Sequence, residues 1–148
     1  MSTIQPGLAK ARGKARRLAM QAIYQWQMTA DDYEGIAQQY VDDTEMKDID
    51  ADYFHELLKG VVESVVPIDA LLEKHMERTV DSVDPVERAI IRLAAYEFIN
   101  RLDVPYRVVL NEAVMLAKKF CAVNSHAFIN GVLDKVAHDI RSIEVAAV

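Results

Sequence analysis

From Val86 to Ile99 the chain leaves almost no polar side to a helix: Ala89, Ile90, Ile91, Leu93, Ala94, Ala95 and Phe98 point nearly all the way round it. Such a segment cannot lie on a surface and must be surrounded by other elements. Its start is marked by Asp84-Pro85-Val86-Glu87. Asp84 suits the cap, Pro85 the first helical position, and Glu87 the return bond of a capping box. The chain is therefore expected to fold around this helix as its spine.

What surrounds the spine reads as further helices. Only 5 glycines and 4 prolines interrupt 148 residues, so long helices are favoured and strands have few turn signals. From about Lys10 to Thr29, the residues Ala11, Ala15, Leu18, Ala22 and Trp26 recur three or four apart, with Arg12, Arg16, Arg17, Gln21 and Gln25 on other faces. A second helix is expected from about Asp32 to Asp43. A third, from Asp50 to Val66, should stop at Pro67, which then suits the first turn of a short fourth helix with Ile68, Leu71, Leu72, His75 and Met76. Beyond the spine, Pro105 sets apart a helix from Tyr106 to Phe120, and Ser125 is placed to cap a last one ending near Ile140. The reading is all-α, about seven helices, with one domain over 10–141 between flexible ends at 1–9 and 142–148.

A composition of 51% hydrophobic and 27% charged residues suits one such domain. A chain of this length buries roughly 70% of the surface its unfolded form exposes, enough to fold without disulfides or a structural metal. Cys121 is the single cysteine, which fits a reducing, cytoplasmic setting and a role as core filler. No uncharged run approaches the length of a membrane span, and the basic start is not followed by the apolar core of a signal peptide.

Net charge is −6, yet Lys10, Arg12, Lys14, Arg16 and Arg17 all precede the first acidic residue, Asp31. Setting those five aside leaves 12 basic residues against 23 acidic ones, so a polyanion must be bound locally, at the start of the chain. A disordered basic tail or a transit peptide would share this charge pattern. The aliphatic stripe that runs through the cluster to Trp26 argues instead for cations fixed on a helix.

Chemistry has little foothold. His55, His75, His126 and His138 form no metal-ligand spacing, and the glycines are isolated rather than gathered in a phosphate-cradling loop. Ser125-His126 with Cys121 nearby lacks an orienting group and an oxyanion site. No catalytic residue, metal or cofactor is expected.

Four segments carry a family likeness spread over roughly residues 8 to 140. Arg12-Gly-Lys-Ala-Arg16-Arg17-Leu-Ala-Met-Gln21-Ala-Ile-Tyr24-Gln-Trp26 resembles the opening helix of NusB transcription antitermination factors. Val86-Glu87-Arg88-Ala-Ile-Ile-Arg92-Leu-Ala-Ala-Tyr96-Glu97 looks like that family's central helix, Asp103-Val-Pro105 to Asn111-Glu112-Ala its next one, and Ser125-His-Ala-Phe128-Ile-Asn130-Gly131 its ending. The resemblance implies two packed helical subdomains and a protein that binds single-stranded boxA RNA with NusE, a small-subunit ribosomal protein. That complex would join the RNA polymerase antitermination complex, notably on ribosomal RNA operons. Relatives differ in oligomeric state, so a homodimer covering the RNA surface is compatible with it. The related helical module fused to RNA cytosine methyltransferases is not implied, because this chain lacks a glycine-rich cofactor loop.

On the family reading Arg12, Lys14, Arg16 and Arg17 contact phosphates, Gln21 and Ser125 add hydrogen bonds, and Phe128 stacks a base. Tyr24 and Glu87 match positions where RNA and partner meet, while Arg92 and Tyr96 are partner candidates on the central helix. Four phosphate contacts would weaken binding roughly fiftyfold between 50 and 200 mM salt. The sequence departs from the family at Gly13 and Ala127, where a basic residue is common, and at Arg17, where an acidic one is; Lys118 and Lys119 are the nearest substitutes. The alternative is a purely protein-binding helical adaptor using the acidic segment from Asp42 to Asp52, with little RNA affinity of its own.

Overall fold

The computed structural model describes residues 6–147. Its elements are α1 (Pro6–Thr29), α2 (Tyr33–Asp43), α3 (Ala51–Glu63), α4 (Val65–Glu73), a 3₁₀ turn (Val80–Ser82), α5 (Pro85–Asn100), α6 (Tyr106–Phe120), α7 (Ser125–Ile140) and α8 (Ser142–Ala146), with no strand among the described residues. α1, α2 and α3 pack on one another as one group, and α4, α6 and α7 gather on α5 as another. α5 also packs against α1 and α3, so the spine joins the two subdomains. Ile90, Ile91 and Phe98 on α5 are fully buried with Ile23, Phe54, Leu58, Ile129 and Leu133 from its neighbours. Each such side chain contributes on the order of 2 kcal/mol.

Several boundaries differ from the sequence expectation, each for a local reason. α3 stops at Glu63 rather than Val66, and Ser64 forms the break, its N–H donating to the Gly60 carbonyl at 3.0 Å. The ring of Pro67 would collide with the carbonyl of Glu63 in a continuous helix, so the ladder yields one turn early. α4 starts at Val65, which leaves Pro67 in its first turn where no N–H is needed, and ends at Glu73, short of His75 and Met76. Asp84 caps α5 through the N–H groups of Val86 and Glu87, at 3.0 and 3.4 Å. Glu87 does not complete a capping box, because its carboxylate accepts from Ser125 instead. α7 is preceded by Asn124 in the left-handed region (φ 77°), so the Ser125 hydroxyl is not its cap.

Of the expected flexible ends, residues 1–5 and 148 lie outside the described residues. Residues 6–9 already belong to α1, and 142–146 form α8. The second of these is anchored by polar groups that hydrophobic periodicity does not reveal. Arg141, 5% exposed, donates to the carbonyls of Glu97, Phe98, Arg101 and Val104 at 2.9 to 3.2 Å. Three of those carbonyls belong to the C-terminal end of α5, where a cation meets the negative end of the helix dipole. Glu144 accepts from Arg141 and from the Tyr106 N–H, both at 2.7 Å, and so closes the first turn of α6.

Arg141→Ala should therefore lower stability by about 3 kcal/mol, because it leaves the Phe98 and Val104 carbonyls without their donor, whereas those of Glu97 and Arg101 keep backbone N–H partners; chemical denaturation measures it. Burial works against the charge on Glu144, but the Tyr106 amide and Arg141 outweigh it and hold its pKa below the ordinary value. Its contribution is present above the ordinary glutamate range and is lost as pH falls through the lowered folded value. The acid limb of the stability profile should accordingly be shallower in Glu144→Gln.

Candidate nucleic-acid interface

The basic first helix divides its cations between two stripes. Arg12, Arg16, Ala19 and Ile23 follow one another by four, three and four residues and face inward; Ala19 and Ile23 are fully buried. Lys10, Lys14, Arg17, Gln21, Tyr24 and Met28 follow the same rhythm on another side. All of these are exposed except Gln21, which is half-buried. This outward stripe is roughly 27 Å long at 1.5 Å per residue.

Arg16, expected among the phosphate contacts, is instead 4% exposed and held inside the fold. Its Nε lies 3.0 Å from both carboxylate oxygens of Glu97, its Nη2 2.9 Å from one of them, and its Nη1 3.2 Å from Glu112. The Tyr53 hydroxyl donates to the same Glu97 carboxylate. Burial opposes the Arg16 charge, and Glu97, Tyr53 and Glu112 more than restore it, so its pKa is raised. Burial and Glu97 likewise push the Tyr53 hydroxyl up, keeping it a donor. Arg12 is turned the same way. Its side chain is 14% exposed, 3.9 Å from Asp50 and 3.7 Å from Asp103, with its guanidinium 4.8 Å over the Tyr53 ring. A Cβ on Gly13 would stand 3.2 Å from the Glu112 carboxylate. The glycine thus leaves room for Glu112 to reach Arg16.

Lys14 and Arg17 remain outward. Arg17 stacks 5.2 Å over the ring of Phe120 at the end of α6, and the Lys119 ammonium lies 5.9 Å from the same ring. Just beyond, the Ser125 hydroxyl donates to Glu87 at 3.2 Å, linking the starts of α7 and α5. Cys121 packs against the core there; burial, Glu87 and Asp84 push its thiol up to about 11, which leaves it protonated and unreactive at neutral pH. Phe128 is half-buried, and the Arg78 guanidinium covers its ring at 4.8 Å. A cleft of about 350 Å³ opens beside it, lined by Arg78, Met76, Ala127 and Lys135 among others.

Two partner candidates lie elsewhere. Arg92 is 6% exposed and forks onto Asp69 at 3.0 and 2.8 Å while donating to Gln27 at 3.1 Å, tying α5 to α4 and α1. Tyr96 donates to Glu56 on α3 at 3.1 Å, and a Cβ on Gly60 would overlap its ring. Both are packing residues, because a charge or hydroxyl on a spine helix must find its partner inside. Tyr24, 37% exposed, and Glu87 stay at the surface end of the arrangement. The structure thus links Arg17 to Phe120 between α1 and the end of α6, and Ser125 to Glu87 between the starts of α7 and α5, while Phe128 faces Arg78. Phe120 and Arg78 were not foreseen; an aromatic ending a helix beside a lysine pair was the available signal for the first, and none existed for the second. Among the described residues no group of three or more His, Cys, Asp or Glu could hold a metal ion, and no helix is long and apolar enough to cross a membrane.

Residues 13–138 match the family model described as the NusB family. The transcription antitermination protein NusB of Pseudoalteromonas atlantica is 48% identical over 136 residues, covering 92% of this chain and 97% of that protein. Its counterpart from Teredinibacter turnerae is 49% identical over 140 residues, covering 94% and 95%. Among solved structures, T. maritima NusB superposes with a TM-score of 0.81 at 26% identity over 91% of this chain and 96% of that one. A second, from a crystal structure of the antitermination factors NusB and NusE in complex with dsRNA, gives 0.79 at 27% identity over 87% and 97%.

The two arginine stripes should separate in mutagenesis. Arg16→Ala strands the Glu97 carboxylate and should cost about 3 to 5 kcal/mol of stability. Arg17→Ala should change stability by no more than about 0.5 kcal/mol. Urea denaturation of the two variants decides it; equal, small losses would return Arg16 to the surface.

Proposed function

The chain belongs to the NusB family, and from that premise we propose that it is a transcription antitermination factor binding single-stranded boxA RNA together with the small-subunit ribosomal protein NusE. The pair then joins the RNA polymerase antitermination complex, notably on ribosomal RNA operons, and the chain itself catalyses no reaction. The observation that carries this reading is the outward stripe of α1, whose Lys14 and Arg17 lead to the Phe120 ring and Lys119.

Phosphates of the strand meet Lys14, Arg17 and Lys119, whose charges position the backbone without reading sequence. Gln21 adds a hydrogen bond along the same stripe, and Ser125 offers its hydroxyl at the far end. Phe128 takes an unpaired base by stacking. The base replaces the Arg78 guanidinium on that ring and leaves it free for a neighbouring phosphate. Tyr24 and the Glu87 carboxylate form the edge where RNA and NusE meet. Arg92 supports that edge from inside through Gln27, and Tyr96, toward the other end of α5, is a further partner candidate. A homodimer closed over the stripe would hide the same groups and compete with RNA.

Titrating fluorescent boxA RNA and a scrambled control, with and without NusE, tests this. Selective binding strengthened by NusE is expected, with at least three contacts weakening it roughly twentyfold or more from 50 to 200 mM salt. Phe128→Ala should cost about 1 to 3 kcal/mol of RNA affinity. Binding that is unselective and flat with salt would favour the protein-adaptor alternative.

A further inference from the structure

Near the start of α1 a cleft of about 380 Å³ is lined by Gly7, Lys10, Ala11 and Lys14 on one side and by Lys47, Asp48 and Ile49 on the other. Lys10 and Lys14 stand one helical turn apart on the outward stripe, and Lys47 comes from the loop joining α2 to α3. That loop is fixed against the helix. The Asp50 N–H donates to the Ala11 carbonyl at 3.2 Å, Met46 and Ile49 pack on the core, and the Lys47 N–H is held by the Glu45 carboxylate at 3.2 Å. Among the described residues none of the three ammonium groups has an ion-pair partner, whereas most of the fold's arginines do. Among the residues lining the cleft, three cations face the single Asp48, with the Glu45 carboxylate engaged by the Lys47 N–H and Asp50 beside Arg12, on a chain of net charge −6. Two larger clefts lack this character: one is lined by Asp31, Asp32, Asp42 and Asp43, and the other balances its lysines with Asp134 and Asp139.

We propose that this cleft binds a phosphodiester segment of the same RNA strand, with Lys47 as a phosphate ligand and Lys10 and Lys14 facing it. The inference rests on the RNA-binding reading above and extends it from the helix to the α2–α3 loop. The floor is open at Gly7, where an added Cβ would meet nothing within 4 Å. A backbone laid there continues directly onto Lys14 and Arg17, so one strand runs from the cleft along the stripe toward Phe120. Polyanion binding of this kind needs converging cations rather than a shaped base pocket.

The test is the salt dependence of binding by labelled single-stranded boxA RNA in the presence of NusE, for wild type, Lys47→Ala, Lys47→Arg and Lys59→Ala. Lys59 is an exposed lysine of α3 outside the cleft and serves as the charge control. Lys47→Ala should flatten the slope of log affinity against log salt by about 0.7 and weaken binding about fivefold at 0.1 M salt, with Lys47→Arg restoring both and Lys59→Ala changing neither. An unchanged slope in Lys47→Ala, with wild type still salt-sensitive, overturns the cleft and leaves the RNA reading standing. Equal losses in Lys47→Ala and Lys59→Ala, or loss of NusE binding without RNA, overturn it too. Wild type that binds no RNA removes the reading on which it rests.

Discussion

The buried pair of Arg16 and Glu97 sets the rotation of α1 about its own axis, and the outer face of the molecule follows from that rotation. Glu97 is 1% exposed on the spine helix, where a carboxylate without partners would be costly. It accepts from Arg16 on α1 and Tyr53 on α3, while Arg16 also reaches Glu112 on α6. Three helices therefore meet at one carboxylate, and α6 joins them through Arg16. The guanidiniums of Arg12, Arg16 and Arg101 all lie within 5.5 Å of the Tyr53 ring centroid, so the aromatic face shares in holding the cations. With residues 12 and 16 drawn inward, helical geometry leaves 10, 14, 17, 21 and 24 outward.

The other inward charges act in the same manner on the rest of the spine. Arg92 joins α5 to α4 through Asp69, Tyr96 joins it to α3 through Glu56, and Arg141 closes its C-terminal carbonyls. An apolar contact tolerates sliding by a residue or a turn, because any methyl can meet another. A forked guanidinium on a carboxylate does not. These pairs therefore contribute register more than net stability, and register is what the proposed interface, one face of α1 with the ends of three other helices, requires.

Hydrophobic spacing made the helices legible, since burial of an apolar stripe is a property of the segment itself. The spine, its Asp84 cap and the isolated helix before Phe120 could all be read in this way. Charge direction could not. Arginine counts equally as a surface or a core residue until its partner is known, and Glu97 and Glu112 stand 81 and 96 residues away from Arg16. Helical phase separates some of these cations: Arg12 and Arg16 keep step with Ala19 and Ile23, whereas Lys14 and Arg17 do not. Arg78 over Phe128 and Lys47 beside Lys14 depend on loops brought in from elsewhere in the chain, and no periodicity reports on them.

An acidic protein that binds a polyanion must confine attraction to a path. At 0.1 M salt charges act over about 10 Å, so the outward lysines and arginines of α1 govern a strand lying on them while more distant carboxylates are screened. The α2 carboxylates around Asp31, Asp32, Asp42 and Asp43 border the C-terminal end of the same helix, next to Gln25. A strand following α1 thus meets cations up to Arg17 and a growing negative field past Gln21. On the proposed path it would be steered away from the α2 side and toward Phe120, Lys119 and the α7 start, where aromatic rings join the cations in holding it. On that reading, repulsion from the acidic side would give the path its direction, and the negative net charge would be part of the recognition.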